Sequence, residues 1–402
     1  MILATLGSNK LVTTLDAIMT ELFTGIKPDK ILILREDSNI TQLNLSPVLE
    51  TLGLKSEVEI KVLGEGIKSW REGLKGVNID VADITPGRKY MAIAVLNYSN
   101  AREIRYAYLR EEDKGYHIFG YVPLSEITVY DIRTGESVNY EALKTVKGEK
   151  EVTLQVDSLQ ALLNLYRLLG KVEFDYNVSQ DVEEMCEFRA GIKRFAEEEE
   201  IKSLVDDYLF LADTNVYMEL GDRIRGLTWS KEKGARLLPS KAVYNELLGH
   251  TISTQKGVED LKFHIAMGSF RRIHKQPPVS EIRKSGDVGI IEEAKALKRE
   301  LMEALAIITA DEKLSIAAQS QGVKSIFLHK IRNGKGYEGE FLYCLSTYNK
   351  VSILVDGKEY SFLPKHEFVV DKMVKVININ KDYNYAYLLN KLEGILHQKS
   401  FN

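Results

Sequence analysis

Cysteine is nearly missing from this chain: there are two in 402 residues, Cys186 and Cys344, far apart and without metal-binding spacing. That scarcity excludes a disulfide framework and a zinc ribbon, and it suits a reducing, cytoplasmic setting. Proline is sparse as well, at eight residues, and no Gly-, Pro- or Ser-rich tract marks a flexible linker. No apolar run is long enough to span a bilayer, so no membrane partner is expected. The opening Met-Ile-Leu-Ala-Thr-Leu-Gly reads as a strand, not as a basic leader with a cleavage site. Neither a Gly-x-Gly-x-x-Gly turn nor a P-loop is found, so dinucleotide cofactors and NTP hydrolysis are not indicated. Net charge is only −4, so a polyanion would have to be held by local basic patches.

The remaining composition, 44% hydrophobic and 28% charged, is that of a globular protein, and the length predicts two or three domains. Over 1–149, strand-like runs (Ile2–Leu6, Ile31–Leu34, Val58–Val62, Ile79–Asp83) alternate with helical patterns near 12–24, 43–53, 65–75 and 87–97. Such alternation predicts a parallel, doubly wound α/β sheet. A hairpin of Ile104–Leu109 and Tyr116–Tyr121 is expected at one end of it. Residues 150–205 read as a helical connector, with an apolar stripe of Leu159, Leu162, Leu163, Tyr166 and Leu169 and an acidic, solvated run Glu197–Glu200. Strand–helix alternation resumes over 206–330. Beyond it, 331–402 reads as a small β-rich module, with Asp356-Gly357 as the turn of a hairpin.

Four acids in the 206–330 stretch stand at strand ends or helix starts: Asp213, Glu246, Asp287 and Asp311, spaced 33, 41 and 24 positions apart in turn. Singly, each is an ordinary turn former or helix cap. Together they predict a pocket at the carboxyl ends of a parallel sheet. Carboxylates crowded there raise one another's pKa, and a divalent cation removes the repulsion. An all-oxygen donor set favours magnesium or manganese over zinc and suits phosphodiester hydrolysis by an activated water.

Asp213-Thr214-Asn215 after a strand, Pro239-Ser240 before the helix of Glu246, Asp287 opening a helix, and the closing run IITADEKLSIAAQSQGVKSIFL (307–328) resemble a PIN-domain nuclease. The resemblance implies Asp213, Glu246, Asp287 and Asp311 as metal-site acids, with Thr214, Asn215 and Thr309 orienting carboxylates or water. Asp287 is the least secure, since Glu292 or Glu293 one turn on could replace it. Arg271, Arg272 and Lys275 are expected to grip RNA, and Arg223, Arg225, Lys231, Lys233 and Arg236 form a second basic group. Trp229 and Tyr244 are either base-stacking or core residues.

At the N-terminal end, Leu6-Gly7-Ser8-Asn9-Lys10 precedes one helix and Asp83-Ile84-Thr85-Pro86-Gly87-Arg88-Lys89 precedes another. Both loops belong at one sheet edge, where backbone N–H groups at helix starts attract anions. The pair resembles the CARF domain, the CRISPR-associated Rossmann fold. That implies a homodimer binding a cyclic oligoadenylate, most often the tetraadenylate, through Gly7, Ser8, Asn9, Lys10, Thr85, Pro86, Gly87, Arg88 and Lys89. The expected whole is an α/β chain of Rossmann-like CARF sensor, helical connector, PIN-like nuclease and β-rich module. It would be a ring-nucleotide-activated, Mg2+- or Mn2+-dependent endoribonuclease of type III CRISPR antiviral defence. The rivals are a non-catalytic ligand-binding regulator, or a nuclease acting on DNA or on the cyclic nucleotide itself.

Overall fold

The computed structural model describes residues 1–402 except 38–42, 253–257, 276–277, 279–280, 283, 369–370 and 398–402. The chain forms two compact units. One comprises 1–175, 352–364 and 373–402, and the other 176–351 and 365–372.

The first unit is built on a mostly parallel seven-stranded sheet. Its strands are β1 (Ile2–Leu6), β2 (Lys30–Arg35), β3 (Glu57–Val62), β4 (Val81–Asp83), β5 (Glu103–Leu109), β6 (Ile127–Asp131) and β7 (Ser137–Val138). They lie in the order β3-β2-β1-β4-β5-β6-β7. Strands β1 to β5 are parallel, and β6 returns antiparallel to β5, Leu109 facing Ile127. Helices α1 (Leu11–Leu22), α2 (Ser46–Thr51), α3 (Gly66–Gly73) and α4 (Lys89–Tyr98) make the crossovers. The apolar runs of β1 and β2 are buried almost throughout, as central parallel strands require. Leu6, Leu34, Trp70, Met91 and Ile104 share one core.

The partner expected for β5 was misplaced. Residues 112–116 form a 3-10 turn and 117–122 an irregular segment, and the antiparallel strand comes only at Ile127. Gly120, at φ +85°, and Pro123 interrupt the strand-like pattern.

The stretch read as a helical connector is mixed. Its strands Glu151–Gln155 and Val172–Tyr176 flank the helix Val156–Tyr166, which buries Leu159, Leu162, Leu163 and Tyr166. These strands are the edges of a five-stranded sheet whose interior is Met373–Asn378, Lys358–Leu363 and Val351–Val355. The hairpin expected at 351–362 is there, with Asp356 at φ +47° and Gly357 at φ +75°, the pair of left-handed residues a tight two-residue turn needs. The tail is not one module, because Ile331–Asn333 and the helix Glu338–Tyr348 fall in the second unit.

The second unit carries a four-stranded parallel sheet in the order Leu237–Leu238, Tyr208–Ala212, Ala304–Thr309, Lys324–Phe327. Phe210, Leu211, Ile307 and Ile308 are fully buried at its centre. A separate two-stranded pairing joins Lys193–Phe195 to Ile331–Asn333.

Two expectations fail in this unit. The run Glu197–Glu200 is a solvated face only at Glu199 and Glu200, which are exposed. Glu198 is fully buried, accepts the Phe195 N–H at 3.1 Å and pairs with Arg223 at 2.6 Å, while Glu197 accepts from the backbone N–H groups of His329 and Lys330. Cys186 and Cys344 are joined in a disulfide, with Cα atoms 5.5 Å apart. The helices Gln180–Ala190 and Glu338–Tyr348 pack together and bring them face to face, so separation along the chain was no guide. The cysteine pattern therefore gives no argument for a reducing compartment. Among the described residues, no helix is long and apolar enough to cross a membrane.

Candidate functional site

The strand Tyr208–Ala212 ends at Asp213, which leaves the sheet with extended backbone and caps the helix Thr214–Glu219 through a 2.7 Å hydrogen bond from the Thr214 N–H. Parallel pairing sets Ala212 beside Ile308, so the next residue of each strand emerges at the same edge. Thr309 is fully buried there and donates its hydroxyl to Asp213 Oδ2 at 3.1 Å. The same hydroxyl oxygen accepts the Asp311 N–H at 2.9 Å. Asp311 then caps its own helix, Glu312–Ser320, with Oδ1 accepting from the N–H groups of Lys313 and Leu314.

Glu246 arrives on the helix Lys241–Ile252 and accepts the Thr214 hydroxyl at 2.7 Å through Oε2. That helix is anchored by Glu293, only 3% exposed. Glu293 accepts the Ser240 hydroxyl at 2.6 Å and the N–H groups of Lys241 and Ala242 at 3.1 and 3.2 Å. Two of the helix's first backbone donors, and the Ser240 hydroxyl, are thus satisfied by one buried carboxylate. Glu293 is thereby committed as a helix cap. Glu292 points outward beside Lys284, 3.4 Å away. Neither displaces Asp287, which lies exposed in the first turn of the helix Gly286–Leu301.

Electrostatics tie these residues together. Asp213 is 8% exposed, and its carboxyl is pushed up to about 6. Burial is the main cause; hydrogen bonds from Thr214 and Thr309 oppose it, and the charges of Glu246 and Asp287 add to it. Glu219, at the far end of the same short helix, is pushed up to about 7 by burial and by Glu184 and Asp213. Nothing in the local sequence marks Glu219, or Glu293 as the anchor of a neighbouring helix, because these roles depend on partners from other elements. Asn215 is half-buried in the first turn after Asp213. Among the described residues, no three or more His, Cys, Asp or Glu side chains stand close enough together to hold a metal ion.

The expected basic grip is largely committed elsewhere. Arg272 pairs with Asp222 at 2.9 Å and donates to Ser269, while its guanidinium lies 4.9 Å from the Phe368 ring centre. Arg223 pairs with Glu198, Arg236 pairs with Glu303 and is buried, and Lys233 donates to the Asp206 carbonyl. Sequence alone does not show a carboxylate tens of residues away. Arg271 and Lys275 are exposed. Tyr244 packs against the core, whereas Trp229 is exposed under Arg225.

In the first unit, the β1–α1 and β4–α4 loops meet at a cavity of about 540 Å³. Ser8, Asn9, Lys10, Thr85, Pro86 and Gly87 line it; Gly7, Arg88 and Lys89 do not. Gly7 is held against β2, where a Cβ would come within 2.4 Å of Arg35, and Arg88 turns toward Glu36 at 3.2 Å. Gly87 has φ +91°, and a Cβ there would press on Leu6 and Met91 at 3.1 Å. The Thr85 N–H bonds Asp83 at 2.8 Å and its hydroxyl accepts the Ala107 N–H at 2.7 Å, which fixes the second loop. The other wall, unforeseen because 116–121 read as a strand, brings Tyr116 and His117 to the lining. The Lys10 ammonium sits 3.4 Å from the centre of the Tyr116 ring, and His117 Nδ1 is 2.9 Å from Asp157. Neither a protein-family model nor a curated protein matches the chain.

Proposed function

We propose that this chain is a metal-dependent endoribonuclease of the PIN type, switched by a cyclic oligoadenylate bound in a CARF-type domain, as in type III CRISPR defence. The observation that carries the reading is the cluster at the sheet edge of the second unit. Asp213, Glu246 and Thr309 are linked to one another or through Thr214, Asp311 two residues on donates its N–H to the Thr309 hydroxyl, and Asp213 feels the charges of Glu246 and Asp287. The donors are all oxygen, and the Asp213 carboxyl, raised chiefly by burial and further by the charges of Glu246 and Asp287, suits Mg2+ or Mn2+. Asp213, Glu246, Asp287 and Asp311 would hold the cation by drawing closer together than they stand here, and it would supply an activated water and charge neutralisation. Thr214 and Thr309 fix the rotamers of Glu246 and Asp213. The exposed Arg271 and Lys275 are left to meet phosphates.

For the sensor, the support is the shared cavity of the two loops and its aromatic and cationic lining. Exposed apolar residues on α4 (Ile93, Leu96) and on β5 and β6 (Tyr106, Tyr108, Tyr130) support an isologous dimer. The test incubates the protein with labelled RNA, single-stranded DNA and duplex DNA, with Mn2+, with and without cyclic tetraadenylate. RNA cleavage that needs both Mn2+ and the ring, and that Asp213→Asn abolishes, is expected. Ring-independent cleavage would end the switch, and no cleavage of any substrate would end the nuclease reading.

A further inference from the structure

Among the described residues, the cavity of the first unit has one carboxyl in its lining, Asp16, and the loops meant for phosphate do not need it. Asp16 lies on α1, six residues beyond Lys10, so it sits about 9 Å further along the helix axis from the anion-attracting helix start. Thr13, Ala17 and Thr20 share its face of the helix, and Tyr116, Ile118 and Phe119 belong to the same lining. Asp16 is half-buried in the cavity lining, and the Phe119 N–H is a backbone group within its reach. The cations on the lining are engaged elsewhere. Lys10 lies over Tyr116, Lys114 pairs with Glu111 at 2.9 Å, and His117 faces Asp157. A carboxyl group with no cation partner, set back from a phosphate site beside aromatic rings, is placed for a base and not for a phosphate.

Resting on the ring-nucleotide reading of this cavity, we infer that Asp16 is the base-reading residue. Its neutral carboxyl donates its O–H to adenine N1 and accepts from the exocyclic amine. A neutral carboxyl presents one donor and one acceptor side by side, the complement of adenine's base-pairing edge. Guanine offers two donors there, which would demand an ionised carboxylate. Burial pushes the Asp16 carboxyl well above the usual carboxylate range, in keeping with the neutral form. A signal was present in the sequence: Asp16 interrupts the apolar run of Leu15, Ala17, Ile18 and Met19.

Titration calorimetry on the intact protein tests this with two probes, cyclic tetraadenylate and the same ring made from purine riboside, which lacks the exocyclic amine. The wild type should bind the amine-free ring roughly tenfold more weakly. Asp16→Asn, whose amide repeats the donor and acceptor, should keep its affinity for the adenine ring within about threefold. Asp16→Ala should bind both rings weakly and equally. If Asp16→Ala still distinguishes the two rings as the wild type does, the base is read elsewhere and the inference falls. If Asp16→Asn loses as much as Asp16→Ala, the carboxyl is ionised in the complex and the pairing is wrong. Failure of the wild type to bind either ring overturns the cavity reading together with this one, whereas binding without discrimination overturns this one alone.

Discussion

At pH 7.5 and without divalent metal, Asp213→Asn is expected to stabilise the protein while removing its cleavage activity. In the folded chain the Asp213 carboxyl titrates at about 6, against an ordinary value of 3.8. Between those values the native state holds a proton that the unfolded state has released, so stability falls as pH rises through this window. Above pH 6 the penalty is complete, and at about 1.4 kcal/mol per pH unit it reaches about 3 kcal/mol. Asparagine removes the charge but keeps an acceptor for the Thr214 N–H. Its amide nitrogen faces Thr309, whose hydroxyl already accepts from Asp311. That mismatch costs about 1 kcal/mol. The net gain is about 2 kcal/mol at pH 7.5 and close to zero at pH 4.5, where about 1 kcal/mol of the penalty is left to relieve. Urea unfolding with a chelator, followed by circular dichroism at both pH values, measures it. Mn2+ at a hundred times its dissociation constant should raise the stability of the wild type by about 2.7 kcal/mol and that of the variant by much less. A variant less stable than the wild type at pH 7.5, or a difference independent of pH, would refute the reasoning.

Glu293→Ala strands the Ser240 hydroxyl and two backbone N–H groups, so a loss of about 3 kcal/mol in urea unfolding is expected, with cleavage reduced as the helix of Glu246 loosens. Glu293→Gln, which keeps part of the set, should fall between. Replacing both Cys186 and Cys344 with alanine opens a link spanning 158 residues and should lower stability by about 4 kcal/mol. A thiol count of two in the denatured, unreduced protein would contradict the disulfide.

What was legible in the sequence was local. Asp213 and Asp311 follow buried apolar runs, and both were placed at strand ends because a short apolar run ended by an acid reads as strand then helix cap. Asp356-Gly357 disclosed its hairpin for a similar reason, since only a few residue types accept that turn. What escaped depends on partners distant in the chain. Arg272 and Arg236 looked available because Asp222 and Glu303 lie 50 and 67 positions away. The acidic run misled because charge predicts solvent only where no buried guanidinium waits, and Arg223 supplies one for Glu198. The cysteines failed for the same reason. The segment 116–121 has strand-like residues without a strand-like path, and it became a cavity wall instead.

The helix Gly286–Leu301 carries Asp287 in its opening turn and, six residues later, the carboxylate that clasps the start of the helix bearing Glu246. Two of the four acids are therefore yoked to one rod. A tilt of that rod would widen or narrow the gap between this pair and the strand ends that fix Asp213 and Asp311 in a single stroke. The acidic cluster thus has one side set by sheet and the other set by helix.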